Sequence, residues 1–98
     1  MMADKNLRLL GLCKRGGMLV IGEEAIGKTV RATKKIKLIV LARDASDNTR
    51  KKIESHADAG NVRLIILSHD RETLGHAIGL TSCASVAVTD ANMAKEIE

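Results

Sequence analysis

Apolar and polar positions along this 98-residue chain switch between a helical period and short apolar runs. Over residues 4 to 15, Leu7, Leu9, Leu10, Leu12 and Cys13 fall on adjacent helical rows, with Lys5, Arg8, Lys14 and Arg15 elsewhere. Gly16-Gly17 stops that segment, which predicts a first helix. Met18 to Ile21 is a short apolar strand, and Gly22-Glu23-Glu24 opens a second helix whose acidic first turn suits the positive end of the helix dipole. The apolar row of that helix is Ala25, Ile26, Thr29, Val30, Thr33.

Lys37 to Ala42 is β-branched and leucine-rich and too short for a helix, so it reads as a central strand buried on both faces. A third helix follows the cap-rich stretch Asp44 to Asn48 and runs to Gly60. Val62 to Leu67 reads as a second central strand, Asp70 to Ala77 as a short helix with Gly79 just past its end, and Ser85 to Val88 as the fourth strand. Asp90 to Glu98 is a terminal helix capped by Thr89 or Asp90. Helices alternating with short strands predict one α/β domain over residues 1–98, with helices on both faces of a mainly parallel sheet.

Composition removes whole classes of function. Phe, Tyr, Trp and Pro are all zero, so no base can be stacked on Phe, Tyr or Trp and no aromatic cage can form. Cys13 and Cys83 stand seventy residues apart without paired His spacing, which suggests no zinc site and no disulfide, but buried thiols in a reducing compartment. The longest apolar run, Leu38 to Ala42, is far too short for a bilayer, so the expectation is a soluble cytoplasmic protein with no membrane partner. Met18 and Met93 read as core filler, and Met1 and Met2 as start residues.

Charge narrows the partner. The net charge is +4, and it is uneven: residues 1 to 52 carry thirteen Lys or Arg against five Asp or Glu, residues 53 to 98 three against seven. The first half is either a surface for a polyanion or a set of solvating lysines. Lys28, Arg31 and Lys35, at i, i+3 and i+7, would form a phosphate-tracking stripe on the second helix, with Lys34 and Lys37 beside it. At its head, Glu23 and Glu24 either complement the dipole or accept hydrogen bonds from base edges. Arg50-Lys51-Lys52 reads as a solvated helix face.

Gly22 to Thr29 also satisfies the phosphate-loop pattern GxxxxGK[ST], the alternative reading being a small nucleotide-binding protein. Glu23 and Glu24 would set two carboxylates near the anion such a loop must cradle, and Arg43 stands beside the would-be magnesium ligand Asp44. His56, His69 and His76 have no partners at metal-ligand or general-base spacing. No cofactor, metal or catalytic residue is therefore expected.

The order Leu9-Leu10-Gly11-Leu12-Cys13-Lys14-Arg15-Gly16-Gly17-Met18-Leu19-Val20, then Gly22 with Lys28 six later, then Ile39 to Asp44, then Ser68 to Gly79 with Leu74-Gly75-His76-Ala77-Ile78-Gly79, resembles the ribosomal L7Ae/L30e/S12e superfamily. It is most similar to the small bacterial YlxQ-like branch. The resemblance covers nearly the whole chain and implies a three-layer α/β/α sandwich on a four-stranded mixed sheet. It implies a monomeric, non-enzymatic RNA-binding protein, ribosomal or ribosome-associated, with no DNA partner.

The RNA would be a kink-turn, in which a bulge beside sheared G·A pairs bends the duplex and exposes base edges otherwise out of reach. By position, Gly22 would permit close backbone approach, Glu24 would accept from a guanine edge, and Lys28 would sit against phosphate and guanine. Lys14 and Arg15 would meet the RNA backbone nearby, with Glu23, Arg31 and Arg43 in the same surface. The 80–84 loop, through Leu80, Thr81 and Ser82, would hold bulged nucleotides. Two departures from the family pattern stand out: Glu24-Ala25 replaces the usual Asn-Glu, and Arg43 replaces a common acidic residue.

Overall fold

The computed structural model describes residues 2–97, with side chains from Lys5 onward. Met1, and the last residue of the expected terminal helix, Glu98, lie outside the described residues. Nine elements follow one another: α1 (Met2–Arg15), β1 (Leu19–Ile21), α2 (Glu23–Ala32), β2 (Leu38–Leu41), α3 (Asp47–Gly60), β3 (Leu64–Ile66), α4 (Arg71–Ala77), β4 (Ser85–Val88) and α5 (Ala91–Glu96). The strands form one mixed sheet in the order β1-β4-β2-β3.

Alternation along the two central strands builds the three layers. Leu38 and Val40 of β2, with Val86 and Val88 of β4, point to one face and join Leu10 and Cys13 of α1, Leu74 of α4, and Ala94 and Ile97 at the end of the chain. Ile39, Leu41 and Ala87 point to the other face and join Ile26 of α2 and Ile53 and Ala57 of α3. Helices α1, α4 and α5 thus cover one side and α2 and α3 the other. Met18 and Met93 pack against the first core, as a gap-filling role requires.

Two expectations about the sheet are corrected. The sheet is not mainly parallel: only β2 and β3 pair in parallel, while β4 runs antiparallel to both β1 and β2. Alternating helices and strands suggest parallel crossovers, but the chain leaves α4 through residues 78 to 84 and enters β4 from the opposite end. Nor is the strand after α3 central. β3 is an edge strand with Ile66 51% exposed, and the centre is held by β2 and β4, each buried at all four positions.

Helix α2 keeps Ile26 and Val30 of its expected apolar row against the core and departs from that row elsewhere. Ala25 is exposed, while Gly27 and Ile26 are the buried positions, so the helix is rotated toward α3. It ends at Ala32, which leaves Lys35 outside the helix and breaks the expected Lys28, Arg31, Lys35 stripe. The cause is Thr33, which turns extended and lets its hydroxyl accept the Lys35 backbone N–H at 3.1 Å. Among the described residues no helix is long and apolar enough to cross a membrane.

Candidate nucleic-acid interface

Four connections meet at the end of the sheet where β1, β2 and β3 finish and β4 begins, called the upper end below. Gly22 follows β1, and its backbone N–H donates to Ser85 O at 3.0 Å, which ties the start of α2 to the start of β4. Ala42 N–H donates to Ala84 O at 2.8 Å and Arg43 N–H to His69 O at 2.9 Å, bringing in the connections after β2 and β3. The 80–84 loop and the α2 terminus, forty residues and more apart in sequence, are therefore neighbours.

The start of α2 is built to stay open. Gly22 occupies the N-cap position at φ 95°, ψ 148°, a conformation that only glycine adopts without strain, and it offers no side chain to the first turn. The first helical bond is Ile26 N–H to Gly22 O at 3.0 Å, so the preceding N–H groups have no carbonyl a turn earlier. α3, α4 and α5 are instead closed by side chains: Ser46, Asp70 and Asp90 accept from Thr49, Thr73 and Met93 N–H. An open terminus presents donors and the positive dipole end to whatever approaches.

The two glutamates of this turn part company. Glu23 faces α3, where its Oε2 lies 2.8 Å from His56 Nε2 and its Oε1 4.0 Å from Lys52 Nζ. Gly27, one turn on, is buried because His56 lies against it: a Cβ there would stand 2.6 Å from the imidazole Cε1. Arg31 folds over the same place, its Nη1 3.3 Å from that Cβ position. Glu24, by contrast, is exposed and has no hydrogen-bond or ion-pair partner among the described residues. Lys28 is exposed too, and with Gly17, Thr29 and Lys35 it lines a groove of about 510 Å³ between α2 and β1.

The 80–84 loop is held by α4. Cys83 N–H donates to Arg71 O at 2.9 Å and Leu80 N–H to Gly75 O at 2.8 Å. A Cβ on Gly75 would fall 2.5 Å from Ser82 Cα, so glycine there is what lets loop backbone lie directly on the helix. Leu80, Thr81 and Ser82 are left exposed, Leu80 at 39%. Cys83 turns inward; burial pushes its thiol up, and the thiol donates to Ser85 O at 3.2 Å. Cys13 is likewise buried with its thiol pushed up by burial and by the Asp90 charge, and both cysteines are free.

The structure does not bring every expected residue together. Lys14 and Arg15 end α1 and precede Met18, at the opposite, lower end of β1 from Gly22. Arg43 is exposed at the upper end, near enough to Asp70 to help hold that carboxyl below its usual range, after the larger effect of the Thr73 hydrogen bonds. Arg50 is not simply solvated: it is half-buried, with Nε buried and unpartnered among the described residues. Sequence reasoning missed His56 as the anchor of Glu23, because nothing local links two residues 33 apart.

The phosphate-loop alternative is corrected outright. Glu23 to Thr29 are helix rather than loop, Gly27 is buried in the α2–α3 contact, and the Thr29 hydroxyl donates to Ala25 O at 2.8 Å. No backbone cradle exists for a triphosphate. Among the described residues, no three His, Cys, Asp or Glu side chains are grouped to hold a metal ion.

Comparison with known proteins places the chain among relatives. Residues 4–98 match the model of the Ribosomal protein L7Ae/L30e/S12e/Gadd45 family. The chain is 36% identical over 89 residues to the RNA-binding protein YlxQ of Bacillus subtilis, covering 91% of this chain and 87% of that one. It is 42% identical over 51 residues to the RNA-binding protein YlxQ of Enterococcus faecium, covering 52% and 48%. A solved protein of unknown function from Bacillus halodurans superposes with a TM-score of 0.87 at 31% identity, over 95% of this chain and 92% of that one.

Proposed function

The chain belongs to the ribosomal protein L7Ae/L30e/S12e/Gadd45 family, and from that premise we propose that it is a monomeric, cytoplasmic RNA-binding protein that recognises kink-turn RNA, on or around the ribosome. The observation that carries the reading is the junction of an open helix start with a small exposed loop, joined through Gly22 N–H and Ser85 O. In the bound state, bases splayed by the kink lie against Gly22. Glu24 accepts from a guanine edge, and Lys28 meets phosphate one turn on. Bulged nucleotides rest on Leu80, Thr81 and Ser82.

This division of labour fits the chemistry present. Without Phe, Tyr or Trp, no unstacked base can be gripped on the face of a large aromatic ring. A helix terminus, one free carboxylate and one ammonium read edges instead, which works only on RNA already bent enough to show them. Glu23 takes no part in reading bases, because His56 and Lys52 hold it. It fixes the angle of α2 against α3. Arg31, beside His56, and Lys14 and Arg15, beyond β1, contribute long-range charge rather than base contacts.

The test is a gel-shift comparison of a kink-turn with the same duplex whose G·A pairs are made Watson–Crick. The expected result is a strong preference for the kinked form. Equal binding to both would leave only a polycation and end the specific reading.

A further inference from the structure

Positive charge on this molecule does not gather where the bases are read. At the upper end, carboxylates and cations neutralise one another: Glu23, hydrogen-bonded to His56, lies 4.0 Å from Lys52 Nζ, and Asp44 pairs with Arg71, whose Nε lies 3.5 Å away and whose backbone N–H donates at 2.8 Å. Asp47, Asp70 and Glu72 add further negative charge there. The opposite end of the sheet is different. Lys34, Lys35 and Lys37 follow α2 there, exposed on an irregular segment whose Ile36 is buried.

That segment borders a cleft of about 640 Å³ between the last turns of α2 and α3. Val30, Ile36 and Val62 supply its apolar lining, and Lys34, Lys37 and Arg63 its cations. Lys37 does not fold away from it: its Nζ donates to the backbone O of Lys34 at 3.2 Å, which holds that ammonium on the rim lined by both lysines. Lys37 and Arg63 also border a second depression with Lys95 of α5. The acids of this end are fewer. Asp58 lies in the last turn of α3, and Asp90 is engaged in capping α5.

The two ends are connected by α2, whose ten residues span about 15 Å. Lys28 stands between them and shares its groove with Lys35. A strand whose kink is read at Gly22 has Arg43 and Lys28 nearby, and it reaches the Lys34–Lys37 cations only if it continues down α2. We infer that the Lys34–Lys37 rim is a second RNA contact, which holds the phosphates of a duplex arm flanking the kink. It supplies affinity without sequence preference, while the upper end supplies discrimination. This rests on the kinked-RNA reading above.

The experiment uses one kinked RNA with short arms and two versions in which either arm is lengthened. Each is titrated with the wild type, with the double variant Lys34→Ala/Lys37→Ala, and with the charge-matched control Lys5→Ala/Lys51→Ala. Expected is at least a tenfold gain for the wild type on lengthening one of the arms. The Lys34/Lys37 variant should erase that gain and lower the log–log salt slope by about two, one per phosphate contact removed. It should leave the short-arm affinity within twofold. A charge-reversed pair, Lys34→Glu/Lys37→Glu, should bind the long arm worse than the short one.

Three results would overturn the inference: no gain from either arm, a gain that survives the Lys34/Lys37 change, or an equal loss in the control. A wild type that does not prefer the short-arm kinked RNA over its Watson–Crick version would instead remove the reading at Gly22, and this inference with it.

Discussion

Helices α2 and α3 lie side by side on one face of the sheet and begin at the same end of it, yet they begin in opposite ways. α3 starts at Ser46, whose hydroxyl accepts the Thr49 N–H at 3.2 Å and meets the Thr49 hydroxyl at 3.0 Å. α2 starts at a glycine with no cap and a positive φ. A helix whose task is to cover the core gains from closing its own donors. With Gly22 in place of a side-chain cap the helix forgoes only a few tenths of a kcal/mol, and its first donors stay available to another molecule. The contrast between neighbours separates scaffold from working surface more clearly than exposure does.

The change that should break the contrast most severely is Gly22→Val. A branched side chain at φ 95° is strained by roughly 1–3 kcal/mol, and relief requires moving the first turn of α2. Thermal unfolding should shift down by several degrees, about 4–8 °C per kcal/mol for a chain of this size. Preference for kinked over Watson–Crick RNA should vanish. The next largest effect is on binding alone. Lys28→Ala should weaken kinked RNA by roughly 1–3 kcal/mol and lower the salt slope by about one, with an unchanged melting temperature because Lys28 is exposed. Lys51→Ala, at a similar depth in α3, should leave RNA affinity within twofold.

Ser46→Ala sharpens the comparison from the other side. It should cost about 1 kcal/mol of stability, seen as a lower melting temperature, and leave RNA affinity unchanged. A Ser46 variant that lost RNA binding without losing stability would mean that both helix starts face the ligand. Within α2 the same logic splits the adjacent acids. Glu24→Gln should reduce discrimination in favour of the kinked RNA by about 1 kcal/mol, the net worth of one hydrogen bond, with stability intact. Glu23→Gln should do the reverse, lowering the melting temperature slightly through the weakened bond to His56.

The elements themselves were legible because their periods are local. The apolar runs Leu38 to Leu41 and Ser85 to Val88, and the cap-rich stretch Asp44 to Asn48, all lie within a turn or a strand of what they control. Strand order was not legible, since nothing within β4 says that it inserts between β1 and β2. The buried face of α2 was legible at Ile26 and Val30 but not at Gly27, which carries no hydrophobic signal; its burial follows from an imidazole on another helix. The same imidazole decides that Glu23 is tied while Glu24 is free. Gly22 and the 80–84 loop were recognisable as site components one by one through the family pattern, but the bond that joins them depends on the antiparallel register of β1 and β4, in which Ile21 faces Val86.

The smallest expected effect concerns pH and a third helix start. Asp70 caps α4, and its carboxyl is held below the usual range first by the hydrogen bonds from Thr73, then by the charges of Arg43 and His69. A carboxyl depressed in the folded state stabilises it above the ordinary carboxylate range, and that contribution is lost as pH falls through the lowered value. Relative to the intrinsic rate at each pH, exchange from α4 should therefore rise on acidification compared with that from β2, and Asp70→Asn, which can still cap, should flatten that dependence. Because Gly75 and Arg71 of α4 hold the 80–84 loop, exchange at Leu80 and Cys83 should rise in step. The open start of α2 has no titrating cap to lose, so its first amides should show no matching rise. A common rise at both helix starts would erase the distinction between a closed terminus and an open one on which the assignment of the working surface depends.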